Sequence, residues 1–145
     1  MIIRPAKIED IEQGLELIKE FHTESLDEYN IFCDENIARE VMKAFISTSL
    51  VMEKDGKIIG VISGAITNYP LNNKKIFQEV LWFVSKQYRK YGLLLLKELE
   101  RYAKEIWGCA QIVMVHMMDT KAKKLSKFYV RQGFKPLEMQ YIKTL

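Results

Sequence analysis

Apolar residues along the chain fall into two alternating periods. "MIIRP" is a short apolar run closed by Pro5, the pattern of a strand. Ile8, Ile11, Leu15, Ile18 and His22 then recur at three- and four-residue intervals and predict a first helix. A second helix is predicted over residues 35–46. "LVMEKDGKIIGVISGAIT" is two apolar runs joined by Asp55-Gly56, a dipeptide suited to the positive backbone angles of a tight hairpin, so two antiparallel strands are expected. "IFQEVLWFV", residues 76–84, is rich in aromatic and β-branched residues and predicts a central strand buried on both faces. Leu95, Leu96, Leu99, Tyr102, Ala103 and Ile106 form one stripe, with Lys97, Glu98, Arg101, Lys104 and Glu105 on the other side, an amphipathic helix laid on a sheet. "QIVMVHM" supplies another strand. Leu125, Phe128 and Tyr129 mark a last helix ended by Gly133, and "FKPLEMQYIKTL" alternates as a closing strand. The order βααβββαβαβ predicts an α/β fold with a mixed, mostly antiparallel central sheet and helices on both faces.

No repeat, low-complexity tract or linker divides the 145 residues, so residues 1–145 read as a single domain large enough for one core. The net charge of +3, from 22 Lys and Arg against 19 Asp and Glu, gives no bulk argument for nucleic acid or membrane, and any anion site must be local. Lys121, Lys123, Lys124 and Lys127 could touch phosphates, but they spread around a helix without interleaved aromatics, which disfavours nucleic-acid binding. Cys33 and Cys109 are far apart with no paired Cys or His spacing, which argues against a disulfide framework and for no metal site. With no long apolar segment, the chain reads as soluble and cytoplasmic. No P-loop or dinucleotide signature occurs.

Candidate chemistry concentrates after the central strand. A strand ending at Val84 and a helix starting near Gly92 would aim unpaired N–H groups into a loop carrying Lys86, Arg89 and Lys90, a natural seat for phosphate. A solvated charged turn is the competing reading. Glu79 interrupts an apolar strand, so its carboxylate is expected either to act as a base or to be paired with a lysine or a strand-end N–H. His116 is a second candidate base, and Cys109 is most simply a small buried hydrophobe.

The order of elements, the loop and "LSKFYVRQGF" together resemble the GNAT family of N-acetyltransferases over essentially the whole chain. That resemblance implies acetyl-coenzyme A as cosubstrate and transfer of its acetyl group to a primary amine by direct attack, without metal. The family's Q/R-x-x-G-x-G/A loop holds the coenzyme pyrophosphate. Here the corresponding residues are Gln87, Arg89, Lys90, Tyr91, Gly92, Leu93 and Leu94. Two registers fit: Arg89 to Leu94 puts leucine at the last small position, and Gln87 to Gly92 puts lysine at the first glycine. The resemblance further assigns the main chain of Phe83 and Val84, with Ser126, to the pantetheine arm. Tyr129 becomes the acid that protonates the departing thiolate, with Glu79 the base. The family's asparagine upstream of the last helix is missing. Glu24, Ser25, Asp27, Glu28 and Tyr29 stand where the family shapes its acceptor pocket, and their acidity suits a cationic amine, either a small molecule or a peptide. A homodimer is compatible with this reading. The alternative is a catalytically weak or inactive acyl-coenzyme A-binding protein on the same fold.

Overall fold

A computed structural model describes residues 1–26, 29, 31–119 and 121–143. The chain forms two compact units, Met1–Val115 and His116–Leu145.

The first unit holds a five-stranded sheet in the order β1-β2-β3-β4-β5, with β1 at Ile2–Pro5, β2 at Ser49–Lys54, β3 at Lys57–Asn68, β4 at Lys75–Val84 and β5 at Gln111–Val113. Among the described residues only the β4–β5 pair is parallel. Asp55 (φ 52°) and Gly56 (φ 75°) turn β2 into β3 with Lys54 opposite Lys57, the expected two-residue hairpin.

Strand alternation sorts the core onto two faces. Val51, Ile58, Val61 and Phe83 pack with Leu17 of helix α1 (Ile11–Ser25), and the edge of the Phe21 ring meets Phe83 at 5.8 Å between centroids. Helix α2 (Glu35–Ala44) lies beside α1 and is capped by the Asp34 carboxylate, which accepts from the N–H groups of Asn36 and Ile37. On the opposite face helix α3 (Gly92–Arg101) buries Leu95, Leu96 and Leu99 completely. The expected helices on both faces are present.

Where the chain departs from its periodicity, a local cause is visible. Residues 102–106 widen into a turn of π-helix, closed by Trp107 N–H to the Tyr102 carbonyl at 2.9 Å, and this turns Ile106 out to solvent, off the expected stripe. Trp107 instead stacks on Phe77, with ring planes 7° apart. β4 is not buried on both faces throughout, because Val80 is half exposed. "QIVMVHM" forms ladder only over Gln111–Val113.

In the second unit, helix α4 (Ala122–Arg131) ends as expected at Gly133, whose φ is 88°, with Phe134 N–H bonded back to the Tyr129 carbonyl at 3.1 Å. Among the described residues the predicted closing strand does not form: residues 134–143 make no ladder, Pro136 lacks an N–H to donate, and Leu137, Met139 and Tyr141 are exposed.

Candidate active site

The site begins at a fork in the sheet. β4 and β5 pair only at Ile76–Gln111, Phe77–Ile112 and Gln78–Val113. From Glu79 to Val84, β4 keeps its β3 neighbours but has no ladder partner on the β5 side among the described residues. Ser85 N–H bonds to the Ile59 carbonyl, so by ladder alternation the main chain of Phe83 bonds to β3 and that of Val84 faces the fork. Their side chains are buried in the core.

A β-bulge marks the same point. Ser63 pairs with Leu81 and Gly64 with Glu79, leaving Val80 as the extra residue of β4. Gly64 is required by close approach here, since a Cβ at this position would lie 2.3 Å from the Gln78 carbonyl oxygen and 2.6 Å from the Phe77 ring.

Glu79 sits in the fork, only 7% exposed. One carboxylate oxygen accepts from the N–H of Val115 at 2.9 Å, two residues beyond the last β5 residue, so the side chain replaces the ladder where the strands part. No ion pair to Glu79 occurs among the described residues. Burial pushes its pKa up to about 7, and the Val115 hydrogen bond offsets only part of that shift. Of the expected partners, the strand-end N–H is the one found. A carboxyl so placed exchanges a proton near neutral pH.

The basic segment is more ordered than its sequence suggests. Residues 86–91 form a 3₁₀ helix that runs into α3, and Gly92 donates its N–H to the Arg89 carbonyl, so the helix does not open abruptly at Gly92. Gly92 has a helical φ of −54°, and a Cβ there would meet Trp82 at 3.6 Å, an ordinary contact; the protein's own packing does not demand glycine. Carboxylates from α1 reach this segment. Glu20 accepts from the Ser85 hydroxyl at 2.7 Å and from the Lys86 N–H at 3.2 Å, and Glu24 is ion-paired with Arg89. Arg89 also reaches the Val84 carbonyl at 3.4 Å and lies over the Phe83 ring. The ammonium of Lys90 lies 5.0 Å from the Tyr91 ring centre. Lys86, Gln87, Lys90, Leu93 and Leu94 face solvent. Sequence reasoning missed the roles of Glu20 and Glu24 because the contacts span 65 or 66 residues.

In the second unit Tyr129 is buried against His116 (rings nearly parallel, centroids 6.1 Å), Phe128 and Phe134, and His116 Nδ1 lies 3.0 Å from the Met117 carbonyl. The second candidate base is thus a ring neighbour of the candidate acid. Ser126 lies three residues before Tyr129 on α4, partly exposed. Burial pushes the Cys109 thiol up, consistent with an inert cysteine.

Of the expected acceptor-loop residues, Glu24 is engaged by Arg89, Ser25 closes α1, and Tyr29 N–H bonds to the Leu26 carbonyl; Asp27 and Glu28 lie outside the described residues. An apolar cavity of about 300 Å³ lies instead between α1, α2 and the sheet, with Val80 and Leu81 of the bulge in its wall.

The model of the acetyltransferase (GNAT) family matches residues 11–134. The chain belongs to this family. It is by membership an acetyl-coenzyme A-dependent N-acetyltransferase. Its fold is that of solved GNAT structures. Ribosomal-protein-alanine N-acetyltransferase from Brucella melitensis biovar Abortus 2308 superposes with a TM-score of 0.76 at 16% identity, covering 99% of this chain and 98% of that one. Glucosamine-6-phosphate N-acetyltransferase from Arabidopsis thaliana gives 0.72 at 20% identity, covering 99% and 97%. The aminoglycoside N-acetyltransferase AAC(6')-Iy in complex with coenzyme A gives 0.73 at 15% identity, covering 99% and 93%. No curated protein sequence matches the chain. No helix among the described residues is long and apolar enough to cross a membrane.

Proposed function

We propose that this acetyltransferase moves the acetyl group of acetyl-coenzyme A to a primary amine by direct attack, with Glu79 as base and Tyr129 as acid. The observation that carries the reading is the fork, where β4 offers an unpaired main-chain edge and a buried carboxyl that titrates near pH 7 stands where the strands part.

The outward main chain of Val84, with Phe83 beside it, would meet the pantetheine arm, whose amides need N–H and C=O partners. The Lys86, Gln87 and Lys90 side chains and the main chain of residues 87–94, ending at Tyr91, Gly92, Leu93 and Leu94, would meet the pyrophosphate. Arg89 would join them on release from Glu24, and Ser126 would contact the pantetheine. The coenzyme supplies an acetyl thioester.

Protein groups then handle two protons. Glu79 must be ionised to take the proton of the amine as the C–N bond forms, which its pKa of about 7 permits at neutral pH. As the C–S bond breaks, Tyr129 gives its hydroxyl proton to the sulfur and regains one from solvent, a role that rests on its place in the Tyr-x-x-x-Gly-Phe segment. The amine is a small molecule or a peptide end; no metal takes part in the proposed chemistry.

Titration calorimetry with acetyl-coenzyme A, followed by thiol release with an amine library and mass spectrometry of the products, tests the reading. Saturable coenzyme binding with amine-dependent acetylation is expected. Coenzyme binding without transfer to any amine would favour a binding protein on this fold, and no coenzyme binding would overturn the proposal.

A further inference from the structure

The cavity beside the bulge is lined largely by hydrocarbon, and apart from the exposed Lys7 its charged and hydroxyl side chains are committed elsewhere. Ile18 and Phe21 of α1, Ile37 and Val41 of α2, and Val61 and Leu81 of the sheet enclose about 300 Å³. The two carboxylates in its wall already have partners. Asp10 receives two hydrogen bonds from the Arg4 guanidinium, at 2.7 and 2.9 Å, and one from the Lys7 N–H, while Asp34 caps α2. The Ser49 and Ser63 hydroxyls are bonded to each other at 2.7 Å, with Ser49 also 2.8 Å from the Phe45 carbonyl. His22 is bonded to the Ile31 carbonyl. A polyhydroxylated ligand in this space would lose its water contacts without replacement, at a cost of order 1–3 kcal/mol per buried group. An apolar ligand loses nothing and gains burial.

The cavity also borders the β4 edge at the bulge. Val80, the extra residue of the bulge, lines it and directly follows Glu79 in sequence. A ligand body in the cavity therefore lies beside the edge of β4 that opens at the fork, and a terminal group has to pass that edge to reach Glu79, which by strand alternation projects from the other face. A volume of about 300 Å³ is enough for a small group such as arylethyl or hexyl. Around the entrance Phe32, Ile37, Val41 and Val80 are exposed, giving the mouth an apolar rim.

We infer that this cavity holds the apolar body of the acceptor, which is a primary amine carried on an aryl or alkyl group, rather than a sugar amine or polyamine. The inference deepens the proposed acetyl transfer and rests on it for the word acceptor; occupancy of the cavity is measured without turnover.

The experiment compares 2-phenylethylamine and hexylamine with glucosamine and spermidine on the full chain. Affinity is read by calorimetry and by protection of Cys33, which lines the cavity, from alkylation, with the modified peptide identified by mass spectrometry. Val41→Trp, on an exposed part of α2, fills the entrance without disturbing the sheet. The apolar amines are expected to bind at least roughly tenfold more tightly than the polar pair and to slow Cys33 alkylation. Val41→Trp should weaken their binding by a similar factor while leaving acetyl-coenzyme A affinity unchanged. Equal or tighter binding of glucosamine or spermidine, or apolar-amine affinity untouched by Val41→Trp, would overturn the inference. Loss of the coenzyme arm alone would remove the transferase reading and leave a demonstrated amine site. Acetylation confined to the polar amines would keep the transferase reading and sink this one.

Discussion

Two carboxylates, both mostly buried, define two corners of the sheet and titrate in opposite directions. At the β1–α1 corner, Asp10 accepts both arms of the Arg4 guanidinium and the Lys7 N–H, and Arg4 is also paired with Glu53 at 2.7 Å. The Arg4 hydrogen bonds hold the Asp10 carboxyl below its usual range, against the effect of burial. At the β4–β5 fork, Glu79 has one main-chain N–H and no ion-pair partner among the described residues, and burial raises it to about 7. Both are largely shielded from solvent, but Glu79 is set deeper among protein atoms than Asp10, and the partners differ. A carboxylate given a full counter-charge is locked in one protonation state and serves as a tie between elements. One given a single dipole keeps the free energy of its two states close, which is what a proton acceptor needs.

The largest test exchanges the reactive corner. Glu79→Gln keeps an oxygen for Val115 and removes the titration, and turnover is expected to fall roughly 10²–10⁴-fold with acetyl-coenzyme A affinity retained. In the parent, kcat/KM should rise with pH through a midpoint near 7, and that limb should vanish in the variant. If the variant keeps full activity, His116 or water is the base.

Tyr129→Phe preserves the ring contacts with His116, Phe128 and Phe134 and removes only the hydroxyl. A fall in turnover of roughly a hundred-fold is expected, with coenzyme affinity almost unchanged, measured by thiol release and calorimetry. Unchanged turnover with a verified acceptor would make Tyr129 a packing residue only.

Stability separates the two carboxylates by sign. Glu79 has a folded pKa above its ordinary 4.5, so the folded state binds the extra proton, and the parent should lose stability as pH rises from about 4.5 through about 7. Glu79→Gln should therefore be more stable than the parent at pH 8, by up to roughly 3 kcal/mol, and nearly equal to it at pH 4. Asp10 is depressed below 3.8, so its contribution is present above that value and is lost as pH falls through its folded pKa. Asp10→Asn should destabilise by roughly 2–4 kcal/mol at pH 7, with turnover of the folded protein within twofold of the parent. Denaturant melts at pH 4 and pH 8 check the sign for Glu79, melts at pH 8 and well below the ordinary 3.8 of Asp10 check the other, and a Glu79→Gln variant less stable than the parent at pH 8 would break the contrast.

The smallest effect concerns Glu24, which holds Arg89 of the proposed coenzyme loop. Glu24→Gln removes the ion pair that engages Arg89 and should tighten acetyl-coenzyme A binding a few-fold, since an exposed pair contributes up to about 1 kcal/mol. Unchanged or weaker binding would place Arg89 outside the pyrophosphate site.

Much of the scaffold was legible because its causes are local. Asp55-Gly56 can turn a hairpin wherever it stands, Leu95, Leu96 and Leu99 mark a helix face by spacing alone, and Gly133 ends α4 with the left-handed backbone expected of it. Glu79 was legible as an anomaly in an apolar run, and Tyr129 through its motif. The misreadings share one origin. "QIVMVHM" and "FKPLEMQYIKTL" have strand-like composition, but a ladder needs a neighbour, and β5 ends after three residues while residues 134–143 form no ladder.

Sequence alone therefore determined periodicity, turns and the residue types available for chemistry, because those are properties of neighbours along the chain. Tertiary structure decided where β4 and β5 part, that Glu79 meets the Val115 N–H instead of a lysine, that Arg89 is held by Glu24, and that the space beside the bulge is apolar. Each of these is set by which distant segment comes close and how much water it displaces. Hydrogen-bond partners and desolvation, which move a carboxyl by units of pKa, are properties of the folded neighbourhood, and no spacing in the sequence encodes them.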